Sequence, residues 1–207
     1  MKNHPQAHVF FFSSAAVYGN PQTLPITENT PVLPISPYGI HKSTAETLLE
    51  NYSRALGLCV TVFRIFSVYG VGLRKQLVYD VSQRARQAAA LGQESIMLFG
   101  TGLETRDFIY VKDVCKAVLL VLSQPVKAPF TTYNLASGVE STVAEVAQCI
   151  IKHLNIKVNI NFNGVVPKGD PTNWRADIDK VLQLGFKSDY NLDDGLMEVA
   201  HWAKVHA

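Results

Sequence analysis

Val9-Phe10-Phe11-Phe12-Ser13-Ser14 is the stretch on which the reading of this chain turns. A short unbroken apolar run stopped by serines reads as a strand buried on both faces, as in a parallel sheet. Downstream, Asn20 to Pro37 holds five prolines (Pro21, Pro25, Pro31, Pro34 and Pro37) and reads as a long irregular loop. Ala45, Leu48, Leu49, Tyr52 and Leu56 then recur at helical spacing, and Gly57 closes a helix predicted over Tyr38 to Leu56. Cys59 to Phe66 is a second β-rich run. Strand, loop, helix and strand in that order make an α/β crossover.

The remainder predicts helices over Leu77–Leu91, Asp113–Leu122, Asp177–Leu184 and Leu192–Lys204, and another running to Leu154 behind a cap at Ser141 to Glu145. Strands are predicted at Ser95–Phe99, Asp107–Val111, Thr132–Leu135 and Lys157–Phe162. No internal repeat or low-complexity segment interrupts them.

The chain has 207 residues, 47% hydrophobic and 17% charged, so it can bury a core and is not disordered. With 19 basic against 17 acidic side chains and no basic run, nothing predicts nucleic acid or an anionic membrane as partner. No apolar stretch is long enough to span a bilayer. Met1 to Gln6 is not followed by a secretion-type apolar region. Cys59, Cys115 and Cys149 are spaced for neither a disulfide framework nor a metal knuckle. They read as buried free thiols in a reducing cytoplasm, with no metal expected.

Two constellations carry chemistry. In Ser36-Pro37-Tyr38-Gly39-Ile40-His41-Lys42, Tyr38 and Lys42 lie four apart, on one face of a helix. An ammonium beside a phenol favours the phenolate, which a general base acting on a hydroxyl requires. Taken alone, such a pair is more often a solvated helix face. Ser14 lies at the C-terminal end of a buried strand, where open α/β sheets bind ligands, although strand-end serines more often satisfy backbone groups.

In order, these segments and those that follow resemble the NAD-dependent epimerase/dehydratase family of the extended short-chain dehydrogenase/reductases, in particular the UDP-glucose 4-epimerase type. The resemblance rests on Ser13-Ser14-Ala15-Ala16-Val17-Tyr18-Gly19, the proline-rich loop, Ser-Pro-Tyr-Gly-x-x-Lys at residues 36–42, and Arg64-x-Phe66-x-x-Tyr69-Gly70. Gly100-Thr101-Gly102-x-x-Thr105-Arg106-Asp107, Gly169-Asp170-Pro171 and Ala176-Asp177-Ile178 extend it over nearly the whole chain.

The resemblance implies a partial Rossmann-like, doubly wound parallel unit over residues 1–72. A smaller mixed α/β substrate-binding lobe would follow over 73–207, with 107–135 returning to the sheet. It implies NAD as cofactor and a nucleotide sugar, of the UDP-sugar class, as substrate. Tyr38 would take the proton of the sugar 4-hydroxyl, Ser14 would hydrogen-bond the reacting oxygen, and Lys42 would hold the nicotinamide ribose with Tyr38 and Phe66 beside it. The hydride would leave C4 for NAD and return to the other face of a transient 4-keto sugar. Ser67, Phe99, Arg106, Lys168 and Asp170 would bind the substrate, Arg106 at the diphosphate and Phe99 near the uracil. The role implied is polysaccharide or lipopolysaccharide precursor synthesis.

The sequence departs from the family pattern in places. Ala15 and Ala16 stand where dehydratases carry an acid pair, which disfavours water elimination. Ser67 replaces an asparagine common in epimerases, and Lys168 stands near a place usually held by arginine. The chain starts at what matches the family's fifth strand. Neither Gly70-Val71-Gly72 nor Gly100-Thr101-Gly102 completes the glycine fingerprint that holds the adenosine diphosphate. Negligible turnover by these residues alone is therefore expected, together with a homo-oligomer or completion by another chain. The competing readings are a catalytically silent nucleotide-sugar-binding module and, third, a 4-keto-sugar reductase of the same family.

Overall fold

The computed structural model describes residues 7–125 and 128–206, so Met1 to Gln6, read above for a leader, lie outside it. Its first sheet has the order β1-β2-β6, all parallel, from β1 (His8–Ser14), β2 (Cys59–Ile65) and β6 (Phe130–Leu135). β2 is central, and Val60, Val62 and Phe63 are almost fully buried. β1 is the edge. Its apolar run reads as a strand suited to burial on both faces but with a neighbour lost at its edge, and it is half-buried along most of its length with Phe12 50% exposed. An edge strand lacks the neighbour that would cover it.

Helix α1 (Pro37–Leu56) crosses from β1 to β2. It opens one residue before the expected Tyr38: Ser36 Oγ accepts from Gly39 N at 3.1 Å, and Pro37 fills the first position, where no N–H is missed. Gly57 ends it with a φ of 67° and donates to Ser53 O. Between β1 and α1 the chain forms a short 3-10 helix (Ala15–Tyr18) and the proline-rich loop, which touches the rest through a bridge of Ile26 with Ala176.

The second sheet has the order β3-β5-β7, from β3 (Ser67–Tyr69), β5 (Thr105–Tyr110) and β7 (Glu140–Thr142). β3 runs parallel to β5, and β7 antiparallel to it. β4 (Ser95–Leu98) pairs in parallel with β8 (Asn159–Phe162). The helices are α2 (Gln76–Ala90), α3 (Val111–Leu122), α4 (Val143–Leu154), a single turn α5 (Asp179–Leu182) and α6 (Leu192–His206). α4 is capped within the expected Ser141–Glu145 stretch, by a capping box of Thr142 and Glu145.

Val81, Ala85, Val146, Ile150, Leu196 and Ala200 form a core between α2, α4 and α6. A separate cluster of Phe63, Ile109, Ala117 and Leu135 seats α3 against the first sheet. No helix of the described residues is long and apolar enough to cross a membrane. One reading is corrected: the cysteines are free, but none is fully buried, and Cys115 is exposed on α3 because it turns away from the apolar stripe of Val114, Ala117 and Val121.

Candidate active site

Ser14 ends β1 and caps the 3-10 helix, its Oγ accepting from Ala16 N at 3.2 Å. That bond leaves the hydroxyl hydrogen free to turn toward a ligand. The first turn of α1 lies hard against this segment. A Cβ on Gly39 would fall 2.4 Å from Ala16 O, so glycine lets the helix approach the serine. Tyr38, the residue before it, is 56% exposed. One turn on, Lys42 Nζ donates to Phe12 O at 2.7 Å, 5.7 Å from the Tyr38 ring centre and 5.1 Å from that of Phe11. The carbonyl at the end of β1 thus fixes the ammonium beside the phenol.

Between the first sheet and the remainder opens a cavity of about 660 Å³, within the range of small-molecule sites. Ser14, Tyr38, Phe66, Ser67, Phe99, Arg106, Lys168 and Asp170 all line it. Lys42 does not; it stands behind Tyr38. Residues more than 150 positions apart in sequence therefore face one space.

Arg106 projects from β5, its Nη1 donating to Thr105 O at 2.8 Å and Thr172 O at 3.2 Å. Its guanidinium lies 5.8 Å from the ring centre of Trp174. Burial lowers its pKa, while the charges of Asp170 and Glu104 oppose that shift. Neither acid is hydrogen-bonded to it, so the guanidinium keeps donors for an anionic ligand. Trp174 donates to Gly19 O at 2.9 Å and takes the edge of Phe66, with ring centres 5.8 Å apart. Phe66 is only 5% exposed, a wall rather than a reaching group.

Several contributors had no clear signal in the sequence. Lys75 and Gln76 line the cavity at the start of α2, Gln76 with a φ of 68°, unusual for a residue with a Cβ. Trp174 was missed as well. Beneath the serine segment lies a buried polar network. Ser13 Oγ donates to Glu46, Arg64 Nη1 donates to Tyr18 Oη at 2.9 Å, and Tyr18 donates to Asn134 Oδ1 at 2.7 Å. Burial, the dominant cause, pushes the Tyr18 phenol up to about 12, so it stays a neutral donor. The sequence did place Tyr18 and Arg64 inside quoted motifs and Glu46 one turn after Lys42, a spacing that could have flagged the group.

A sequence model of the NAD dependent epimerase/dehydratase family matches residues 1–136. The chain belongs to the NAD-dependent epimerase/dehydratase family. A candidate UDP-glucose 4-epimerase from Methanocaldococcus jannaschii is 34% identical over 206 residues, covering 95% of this chain and 62% of that protein. Among solved structures, a UDP-N-acetylglucosamine 4-epimerase from Methanobrevibacter ruminantium, in complex with UDP-N-acetylmuramic acid, aligns with a TM-score of 0.82 at 30% identity over 97% of this chain and 64% of that one. A dTDP-glucose 4,6-dehydratase from Bacillus anthracis, in complex with NAD, aligns at 0.85 with 26% identity over 99% of this chain and 64% of that one. The chain thus spans a little over three-fifths of the length of these relatives. The family is an NAD-dependent enzyme family with a Rossmann-like α/β fold, as the parallel sheet of this chain requires.

The residues fit that cofactor on one side. Tyr38 and Lys42 form a phenol–ammonium pair at a strand end, the donor set a ribose diol calls for. In the Gly100–Gly102 turn, Thr101 N donates to Glu104 Oε1 at 2.9 Å and Gly102 N to Glu104 Oε2 at 3.0 Å. The Glu104 carboxylate thus closes this turn from within.

Proposed function

We propose that this chain forms the catalytic and substrate-binding portion of an NAD-dependent nucleotide-sugar 4-epimerase acting on UDP-sugars, in polysaccharide or lipopolysaccharide precursor synthesis. The observation that carries the proposal is the single cavity lined by Ser14, Tyr38, Ser67, Phe99, Arg106, Lys168 and Asp170, with Lys42 behind Tyr38. When bound, NAD supplies the acceptor for the C4 hydride. Tyr38 takes the 4-hydroxyl proton, Ser14 holds the same oxygen, and Lys42 stabilises the phenolate by its charge. Tyr38, Lys42 and Phe66 flank the nicotinamide ribose, and Arg106 and Lys168 hold the diphosphate, with Phe99 against the base.

Ala15 is fully buried and Ala16 lines the cavity without an acid, which argues against water elimination. The pairing of β6 with β2 supports the return of segment 107–135 to the first unit. The free edge of β1 and the exposed Ile40, Leu48 and Leu56 of α1 support a homo-oligomer or completion by another chain. The free thiols support a reducing, cytoplasmic setting.

A catalytically silent nucleotide-sugar-binding module is the second reading. It requires only the cavity and its lining, without proton transfer or a hydride acceptor. Because neither glycine pair completes the dinucleotide fingerprint, these 207 residues alone are expected to turn over negligibly. Two measurements test the proposal. Denaturation of the purified protein, with mass spectrometry of what is released, is expected to yield UDP or a UDP-sugar. Coupled turnover of UDP-glucose with added NAD is expected to stay well below about 1 per second, and an ordinary enzyme rate would refute the inactivity of the isolated chain. No retained nucleotide and no affinity for UDP would remove both readings.

A further inference from the structure

We propose that Cys149, His153 and Asp193 form a Zn²⁺ site that clasps α4 to α6, outside the cavity described above. Cys149 and His153 are one turn apart on α4 and so share a face, and Asp193 lies in the first turn of α6. One ligand atom from each lies within 4.8 Å of the others. Cys149 Sγ and His153 Nε2 both address the same atom, Asp193 Oδ1, at 3.2 and 2.9 Å.

Tetrahedral zinc, with a bond to sulfur of about 2.3 Å and bonds to nitrogen and oxygen of about 2.0 Å, needs donor atoms roughly 3.3–3.6 Å apart. Two of the three edges are within a few tenths of an ångström of that. A thiolate, an imidazole and a carboxylate together select zinc over magnesium or calcium, which prefer oxygen alone.

The surroundings suit an ion. The His153 side chain is 15% exposed and that of Asp193 60%, so the site has a sheltered base and an open side for a water ligand and for entry. Asp194 N donates to Asn191 Oδ1 at 2.9 Å, which fixes the start of α6 and with it the position of Asp193. Cys149 donates its thiol proton to Asp193 Oδ1 at 3.2 Å. Binding replaces that proton with a Zn–S bond and releases it to solvent. The sequence hid this site because its third ligand comes 44 residues after the cysteine.

The test uses the whole chain, stripped with a chelator, titrated with Zn²⁺ by calorimetry and with Co²⁺ by absorption. One ion per chain and a thiolate-to-cobalt charge-transfer band are expected. Cys149→Ser should abolish the band, while Cys59→Ser and Cys115→Ser keep it. His153→Gln and Asp193→Asn should each weaken binding by about tenfold or more, since even losing a partner outside the ligand set costs roughly that. Zn²⁺ should raise the Tm of the wild type and not of Cys149→Ser. Absence of the band, a band that follows Cys115, or an affinity unchanged by Asp193→Asn would overturn the site. Asp193 is exposed, so that variant folds and the last outcome can be read.

Discussion

Arg64 on β2 and Glu46 on α1 meet as a forked, buried ion pair. Arg64 Nη2 lies 2.7 Å and Nε 3.1 Å from Glu46 Oε2, and the side chains are 8% and 7% exposed. Because Glu46 also accepts from Ser13, the pair ties α1 to the residue beside Ser14. Removing one partner of a buried pair strands the other charge, at a cost of about 3–5 kcal/mol. Glu46→Ala should therefore lose roughly that much stability in urea denaturation. Exchange of both partners for apolar residues should lose much less, and equal losses would show that the cost is packing rather than a stranded charge.

Gly39 is where α1 and the serine segment come closest. Gly39→Ala places a methyl 2.4 Å from Ala16 O, a backbone atom that cannot swing aside. The helix must shift, at a cost of about 1–3 kcal/mol, even though alanine is the better helix former. A lowered Tm should accompany weakened ligand binding, because Tyr38 moves with the helix. An unchanged or raised Tm would mean that the approach is looser than described.

Asp107 is fully buried on β5 and accepts from Ser137 N at 2.8 Å, Ser137 Oγ at 2.7 Å, Gly138 N at 3.0 Å and Ala176 N at 3.1 Å. Burial outweighs these four bonds and raises its pKa from 3.8 to about 6. The folded state thus holds the proton to higher pH than the unfolded chain does. Its contribution to stability is intact below about pH 4 and falls as pH rises to about 6, by roughly 3 kcal/mol in total. Asp107→Asn is less stable throughout, since its NH2 sets donors against two of the four donors and accepts from neither, but it lacks this slope. Urea denaturation of both proteins between pH 4 and 7 should show the gap narrowing as pH rises; a widening gap would reverse the sign.

Much of this was legible in the sequence because local rules governed it. The Gly57 stop and the cap within Ser141–Glu145 are nearest-neighbour chemistry and fell where expected, and α1 begins one residue before its expected Tyr38 start. β3 and β7 escaped because three residues are too few to show a period of two. Phe12 illustrates a different limit: an apolar run reports that a strand can be covered, not that a neighbour covers it. Ordered motifs named several of the residues that line the cavity, but not Lys75, Gln76 or Trp174. They did not disclose the Glu46–Arg64–Tyr18–Asn134 network, since buried polar partners are chosen by three-dimensional packing. The role of Glu104 was hidden for the same reason, although it lies within the Gly100–Asp107 motif itself.

Tyr38 and Arg106 should separate by readout if their roles are as proposed. Tyr38→Phe keeps the ring and removes the hydroxyl, so UDP affinity should stay within about twofold of wild type, well under a tenfold change of 1.4 kcal/mol. Arg106→Lys keeps the charge and loses the planar fork, so UDP affinity should fall partway toward that of Arg106→Ala. A large loss of UDP affinity in Tyr38→Phe would place the nucleotide at the wrong end of the cavity.

The most direct measurement is calorimetric titration of UDP into the wild type and Arg106→Ala, with circular dichroism confirming that the variant folds. The account predicts one UDP per chain and a roughly tenfold to hundredfold weaker Kd in Arg106→Ala, the worth of a charged hydrogen bond of about 1.5–3 kcal/mol. No UDP binding by the wild type, or equal binding by a folded Arg106→Ala, would contradict a nucleotide-sugar site in this cavity.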